Sequence, residues 1–203
     1  MKQLLVVLVV MGFASVALAQ GPSGRGSGGV MWLVSIEEVQ KELSMTQVQV
    51  ETFTALRGDR SSQQNLSREE RQKQSEELAK KADEAAKAVL DEKQQNRLSE
   101  LRIQRDGASS LARAEVADKL QVDNTQKEQI AKIQANNTPS ERPNLQNATP
   151  EDRDKFMAAA RERREKINTA ILAVLKPEQK EAFEKMQGAK FTFPQRQGRR
   201  PNQ

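Results

Sequence analysis

Apolar residues recur at steps of three and four along most of this chain, and short polar runs cut the rhythm into segments. Leu78, Ala82, Ala85 and Val89 fall on one helical face, Leu98 and Leu101 on another, and Phe156, Ala160, Ile167, Ile171 and Val174 on a third. The spacing predicts helices over residues 35–43, 46–56, 67–90 and 91–105 in the first half. In the second half it predicts a short helix ahead of Leu120, one over 123–134, a long one opened by Thr149 and Pro150, and a last one over 177–187 with Phe183 and Met186 facing inward. Polar stretches rich in Gly, Ser, Asn and Pro at 57–65, 105–110 and 136–151 read as breaks, and Gly188 as the final stop. The expected fold class is all-α and elongated, a set of capped amphipathic helices.

The helix starts share a chemistry. Thr46 precedes Gln49 by three places, as Asp91 precedes Gln94 and Asp123 precedes Gln126. This is the spacing of a capping box, in which the first side chain accepts from a backbone N–H of the opening turn and the glutamine reaches back to the cap's own N–H. Ser67 and Glu70 make another. In the fourth glutamine copy Lys176 stands where a cap belongs and has no acceptor to offer, so Pro177, with its preset φ, carries more of the start ahead of Gln179.

The chain also matches itself. "EVQKELSMTQVQ" from Glu38 aligns with "EVADKLQVDNTQ" from Glu115 at an offset of 77, and "AVLDEKQ" from Ala88 aligns with "AVLKPEQ" from Ala173 at an offset of 85. Order is kept, which points to tandem duplication of one helical unit. The divisions read as a signal peptide at 1–19, a flexible Gly/Ser linker at 20–29, a first helical unit at 30–106, a second at 107–188 and a basic disordered tail at 189–203. Trp32, the single tryptophan, is expected as a packing anchor, and Phe191 and Phe193 as residues that fold back on the body.

Lys2, an apolar run over 4–18, and Ala17 and Ala19 ahead of Gln20 form the pattern of a secretory signal, with cleavage near Ala19–Gln20 and a periplasmic or secreted destination. A retained anchor is the competing reading. With no Cys, His or Tyr, the chain lacks thiol and imidazole nucleophiles, the usual zinc ligands and any disulfide framework. Nothing sets a nucleophile beside a base, so no catalytic residue, cofactor or metal site is assigned, and an enzyme is not expected. Glu69, Glu70, Glu76 and Glu77 stand among lysines and arginines, where pairing along the helix accounts for them better than a bound cation. Only 3% of residues are aromatic while 30% are charged, which suits a thin apolar seam rather than a deep core. The net charge of +5 is gathered largely in residues 190–203, where Lys190, Arg196, Arg199 and Arg200 meet no acid, and the helical body is slightly acidic.

With the boxes in view, as "MTQVQ", "VDNTQ", "LDEKQ" and "LKPEQ", the chain resembles the exported LTxxQ-motif family, the Spy/CpxP-like helical proteins. It is most similar to the tandem two-unit relatives among secreted planctomycete proteins, in which "VQKEL", "VLKPEQ" and a Gly-rich mature N-terminus recur. The resemblance covers about residues 30–191. It implies an all-α exported protein with a chaperone or envelope-stress role, like the family members that form curved dimers and cradle unfolded clients.

Two functional readings stay open. One is a non-enzymatic binder of unfolded or envelope proteins, with Arg161, Arg163, Arg164 and Lys166 beside the apolar stripe of the long helix as its surface. A solvated face, with Glu162 and Glu165 pairing internally, is the plainer account of those residues. The other is a structural protein of the envelope whose tail, through Arg196, Arg199 and Arg200, makes weak contact with anionic surfaces. Nucleic acid is not an expected partner, given export and the body's charge, and self-association is left open. "RGDR" at 57–60 and the Asn-x-Ser/Thr matches at Asn65, Asn136 and Asn147 read as solvated turns and loops.

Overall fold

The computed structural model describes residues 29–57, 66–137 and 148–194. Every regular element among them is helical, so the all-α expectation holds. In chain order they are α1 (Val30–Leu33), α2 (Glu37–Glu42), α3 (Gln47–Arg57), α4 (Arg68–Val89) and α5 (Glu92–Asp106). A 3₁₀ helix (Gly107–Ala112) follows, then α6 (Ala114–Lys119), α7 (Asn124–Asn136), α8 (Pro150–Val174) and α9 (Pro177–Lys185). The bounds fall within a few residues of the predicted ones, with α1 as an addition. The RGD-like turn beyond Arg57, Asn65 and Asn147 lie outside the described residues, and Asn136 ends α7, exposed.

Helices α2 and α6 stop in the same way. Ser44 and Gln121, 77 residues apart, adopt left-handed backbone at φ 49° and φ 51°. Ser44 N–H bonds Lys41 O at 2.9 Å and Met45 N–H bonds Gln40 O at 2.9 Å; Gln121 N–H bonds Asp118 O at 3.0 Å and Val122 N–H bonds Ala117 O at 2.9 Å. These paired bonds are a Schellman stop, here made without the usual glycine. It throws the chain directly into the cap of the next helix.

Burial follows the same spacing. Val39 and Val116, Leu43 and Leu120, and Phe53 and Ile130 are buried at the offset of 77; Ala86 and Ile171, Leu90 and Leu175, and Leu98 and Phe183 are buried at the offset of 85. The apolar residues gather into two clusters. One contains Val39, Phe53, Ala82, Leu98 and Leu101, and the other Ile103, Val116, Ile130, Ile171 and Phe183. Helix α5 serves both, so only one residue separates the cluster of Leu101 from that of Ile103.

The stretch at 105–110 is not the break that its composition predicts. Helix α5 runs to Asp106, Gly107 turns the chain at φ 58°, and the 3₁₀ helix buries Ala108, Ser110 and Leu111. A Cβ on Gly107 would stand 2.9 Å from the Asn168 side chain, whose Oδ1 accepts from the Ala108 N–H at 3.1 Å. The small residues read as a breaker because they are polar or permissive. They are small because α8 passes against them.

Residues 189–194 likewise belong to the folded body rather than to a disordered tail. Gln104 Nε2 donates to the carbonyls of Gln187 and Ala189, and its Oε1 accepts from the Phe191 N–H at 2.9 Å. Gly188, at φ 63°, turns the chain over α5 so closely that a Cβ there would overlap the Glu100 carboxylate. Phe191 and Phe193 then pack on the first cluster, as expected. The segment is a strap from the end of α9 back to the first unit.

Candidate interaction surfaces

The four motif glutamines come together in two pairs. Gln49 Nε2 donates to Gln94 Oε1 at 2.8 Å, and Gln94 Nε2 returns the bond to Gln49 Oε1 at 3.1 Å. Gln126 and Gln179 repeat this at 2.8 Å and 3.2 Å. Each amide still has one hydrogen and one lone pair, and every one is used. The oxygens accept from the cap N–H groups of Thr46, Asp91, Asp123 and Lys176 at 2.9, 3.0, 3.1 and 2.9 Å. The remaining hydrogens go to the carbonyls of Val89 and Leu43 in the first pair, at 2.7 and 3.0 Å, and of Val174 and Leu120 in the second, at 2.9 and 3.1 Å.

One pair therefore ties four helix ends, the starts of α3 and α5 and the stops of α2 and α4. The other does so for α7, α9, α6 and α8. Helix termini leave backbone groups without intrahelical partners, and burying them unpaired costs free energy. The amide, donor and acceptor at once, satisfies them. The capping boxes on exposed helix starts use acids instead, Glu70 on α4 and Asp152 on α8. A carboxylate can accept from the cap but donate nothing, which suffices where water meets the remaining groups.

Side-chain caps complete three of the glutamine starts. Thr46 Oγ1, Asp91 Oδ1 and Asp123 Oδ1 accept from the backbone N–H of their glutamines at 3.3, 2.8 and 2.9 Å. The fourth start has only half a box, since the Lys176 ammonium carries no acceptor, and Pro177 stands at its first helical position. The motif residues are thus structural in their contacts.

The basic residues singled out on α8 do not form one face. Arg161, Arg164 and Lys166 are exposed, whereas Arg163 is half-buried on the stripe that continues through Ile167, Ile171 and Val174. Positions 161, 163, 164 and 166 point in different directions around a helix of 3.6 residues per turn. Lys166 is also engaged with Glu162 at 2.7 Å, and that bond holds the Glu162 carboxyl below its ordinary range. Glu162, Glu165, Lys166, Thr169, Ala170 and Ala173 line an open, shallow depression. Arg196, Arg199 and Arg200 lie outside the described residues.

Sequence reasoning missed how far α4 and α8 project. No described side chain of α4 ahead of Ala82 is buried, and none of α8 ahead of Ile171. At about 1.5 Å per residue each long helix carries some 20 Å or more of largely exposed surface. On α8 that part displays Phe156, half-buried, and Met157, 52% exposed, and neither belongs to a core cluster. Among the described residues no group of three or more acids is placed to hold a metal ion, and no helix is long and apolar enough to cross a membrane.

Trp32 is half-buried at the root of the chain, with the Arg105 guanidinium 3.4 Å over its ring. Phe193 lies 6.4 Å from Trp32 between ring centroids, and Phe191 meets Phe193 edge-on at 4.9 Å. This cluster joins the first described turn to the strap. Comparison with known proteins finds no matching family model, curated protein or solved structure.

Proposed function

We propose that this chain is an exported, non-enzymatic helical protein that binds unfolded or envelope proteins along the projecting half of α8. The supporting observation is the pair Phe156 and Met157, large apolar residues set among charges and used by neither core. An apolar contact set among nearly balanced charges, with Lys155 paired to Glu151, suits an extended segment that offers scattered apolar groups. The absence of Cys and His leaves the surface without redox or near-neutral proton chemistry, in keeping with a passive binding role. The purified protein is expected to suppress aggregation of a reduced, unfolding client near stoichiometric ratio. Phe156→Ser with Met157→Ser should abolish that suppression while a cooperative urea transition is kept, with a loss of about 1 kcal/mol or less. No suppression by the parent protein, or full suppression by the double variant, refutes this reading.

A second reading, an envelope scaffold whose basic tail contacts anionic surfaces, is favoured by the strap. Gln104 fastens the chain through Phe191, so the charges beyond Pro194 are presented from a fixed root on the body. Removal of residues 195–203, which leaves the strap intact, should abolish retention on anionic vesicles at low salt. Unchanged retention excludes it.

A further inference from the structure

Helices α5 and α9 correspond at the offset of 85, and they part at one position. Where α5 carries Ile103, buried in a helix that runs on to Asp106, the second unit has Gly188, whose left-handed φ of 63° ends the helical path. The chain beyond it packs on the other unit. Residues 190–194 form no regular element and lie against the first cluster. Phe191 and Phe193 are half-buried there, while Lys190, Thr192 and Pro194 are exposed. Alternate burial of this kind is that of an extended chain seated in a groove. The contacts that seat it are ones many extended segments could make. The Gln104 amide donates to the Ala189 carbonyl at 2.7 Å and accepts from the Phe191 N–H at 2.9 Å, and both partners are main-chain groups. Side-chain recognition comes from two rings two places apart, Phe193 beside Trp32 and Phe191 edge-on to Phe193.

We propose that the trough between Trp32 on α1 and Gln104 on α5 is a binding site for extended peptide segments with aromatic residues two places apart, and that the strap is its resident, displaceable occupant. The strap itself identifies the ligand chemistry, because it is such a segment seated in the site. A displacing peptide offers a carbonyl and an N–H to Gln104 and sets its two rings in the places of Phe191 and Phe193. The floor outlasts the exchange, since α5 is tied to the ends of α2, α3 and α4 through the Gln49–Gln94 pair and not through the strap. The tether holds the strap at an effective concentration on the order of millimolar, so the groove stays covered until a segment of this pattern is abundant. The site is separate from the projecting half of α8, and its failure leaves the reading of that surface untouched.

The probe is a fluorescein-labelled peptide with the sequence of residues 188–194, GAKFTFP, titrated against the full chain and followed by anisotropy. Phe191→Ser with Phe193→Ser unseats the strap and leaves Trp32 and Gln104 in place. This variant should bind the peptide at least roughly 10-fold more tightly than the parent does, because a covered site binds in proportion to its open fraction. A peptide with both phenylalanines changed to serine should not bind, and Gln104→Ala added to the variant should weaken uptake roughly 10-fold. The parent protein supplies a test that needs no variant: amide protection at Phe191 should fall when the peptide is added in excess. Uptake that survives Phe156→Ser with Met157→Ser places the site at the strap, and uptake abolished by that pair places it on α8 and removes the groove. Equal binding by parent and strap variant, no binding by the variant, or protection at Phe191 unmoved by peptide each overturns the proposal. So does exchange of straps between two copies of the parent in place of peptide uptake.

Discussion

At the scale of the residue, the choice between glutamine and glutamate decides whether a capping box can sit in the interior. On exposed starts Glu70 is held below its ordinary range by the N–H and hydroxyl of Ser67, and Asp152 by the hydroxyl and then the N–H of Thr149. Gln94, Gln126 and Gln179 are buried and must also donate. Gln94→Glu or Gln179→Glu removes the donor, turns an oxygen toward the carbonyl of Leu43 or Leu120, and buries a charge. A loss of about 2–4 kcal/mol is expected in urea denaturation, against about 0.5 kcal/mol or less for Gln129→Glu on exposed α7 surface. Lys176 offers the opposite test. Lys176→Ser supplies the missing acceptor at the start of α9 and should raise stability by about 0.5–1 kcal/mol. No gain would mean that Pro177 already fixes that start completely.

At the scale of the element, the long helices divide into a packed half and a projecting half, and the two halves answer differently to acid. The depressed carboxyls of Glu70 and Asp152 stabilise the starts of α4 and α8 above their unfolded-state titration range. That contribution is lost as pH falls through the lower folded-state values, so the projecting ends should fray first, below about pH 4. The glutamine pairs carry no titratable group. Amide exchange as a function of pH is the measurement: protection in the first turns of α4 and α8 should fall on acidification while that of the buried interior positions Leu98 and Phe183 persists. Helix positions and starts were legible in the sequence because the caps and the 3.6-residue rhythm are local properties. The pairing of Gln49 with Gln94 was not, since a capping box is complete with partners three residues away and says nothing of where the free amide hydrogens go. The strap was half legible. Phe191 and Phe193 suggested packing, but the bonds from Gln104 span more than 80 residues and have no local signature. The basic surface on α8 was over-read, because neighbouring charges in a sequence do not share a face on a helix.

At the scale of the whole molecule, two apolar clusters of modest size are joined through α5, the 3₁₀ helix and the strap. Few aromatic residues are available to deepen either one, so the helix ends, which would otherwise leave unpaired backbone groups inside, must be closed by hydrogen bonds. Freeing the strap by Gln104→Ala should destabilise the first cluster more than the second, read from amide protection at Leu33 and Val39 against that at Val116 and Ile130. The central claim is that each cluster is locked by one reciprocal amide pair joining four helix ends. It is tested most directly by double-mutant cycles on Gln49 with Gln94 and on Gln126 with Gln179, each residue changed to Ala and stability read from urea unfolding. A coupling of about 0.5–1.5 kcal/mol, of the same sign in both cycles, is expected. Additive losses within either pair would contradict it.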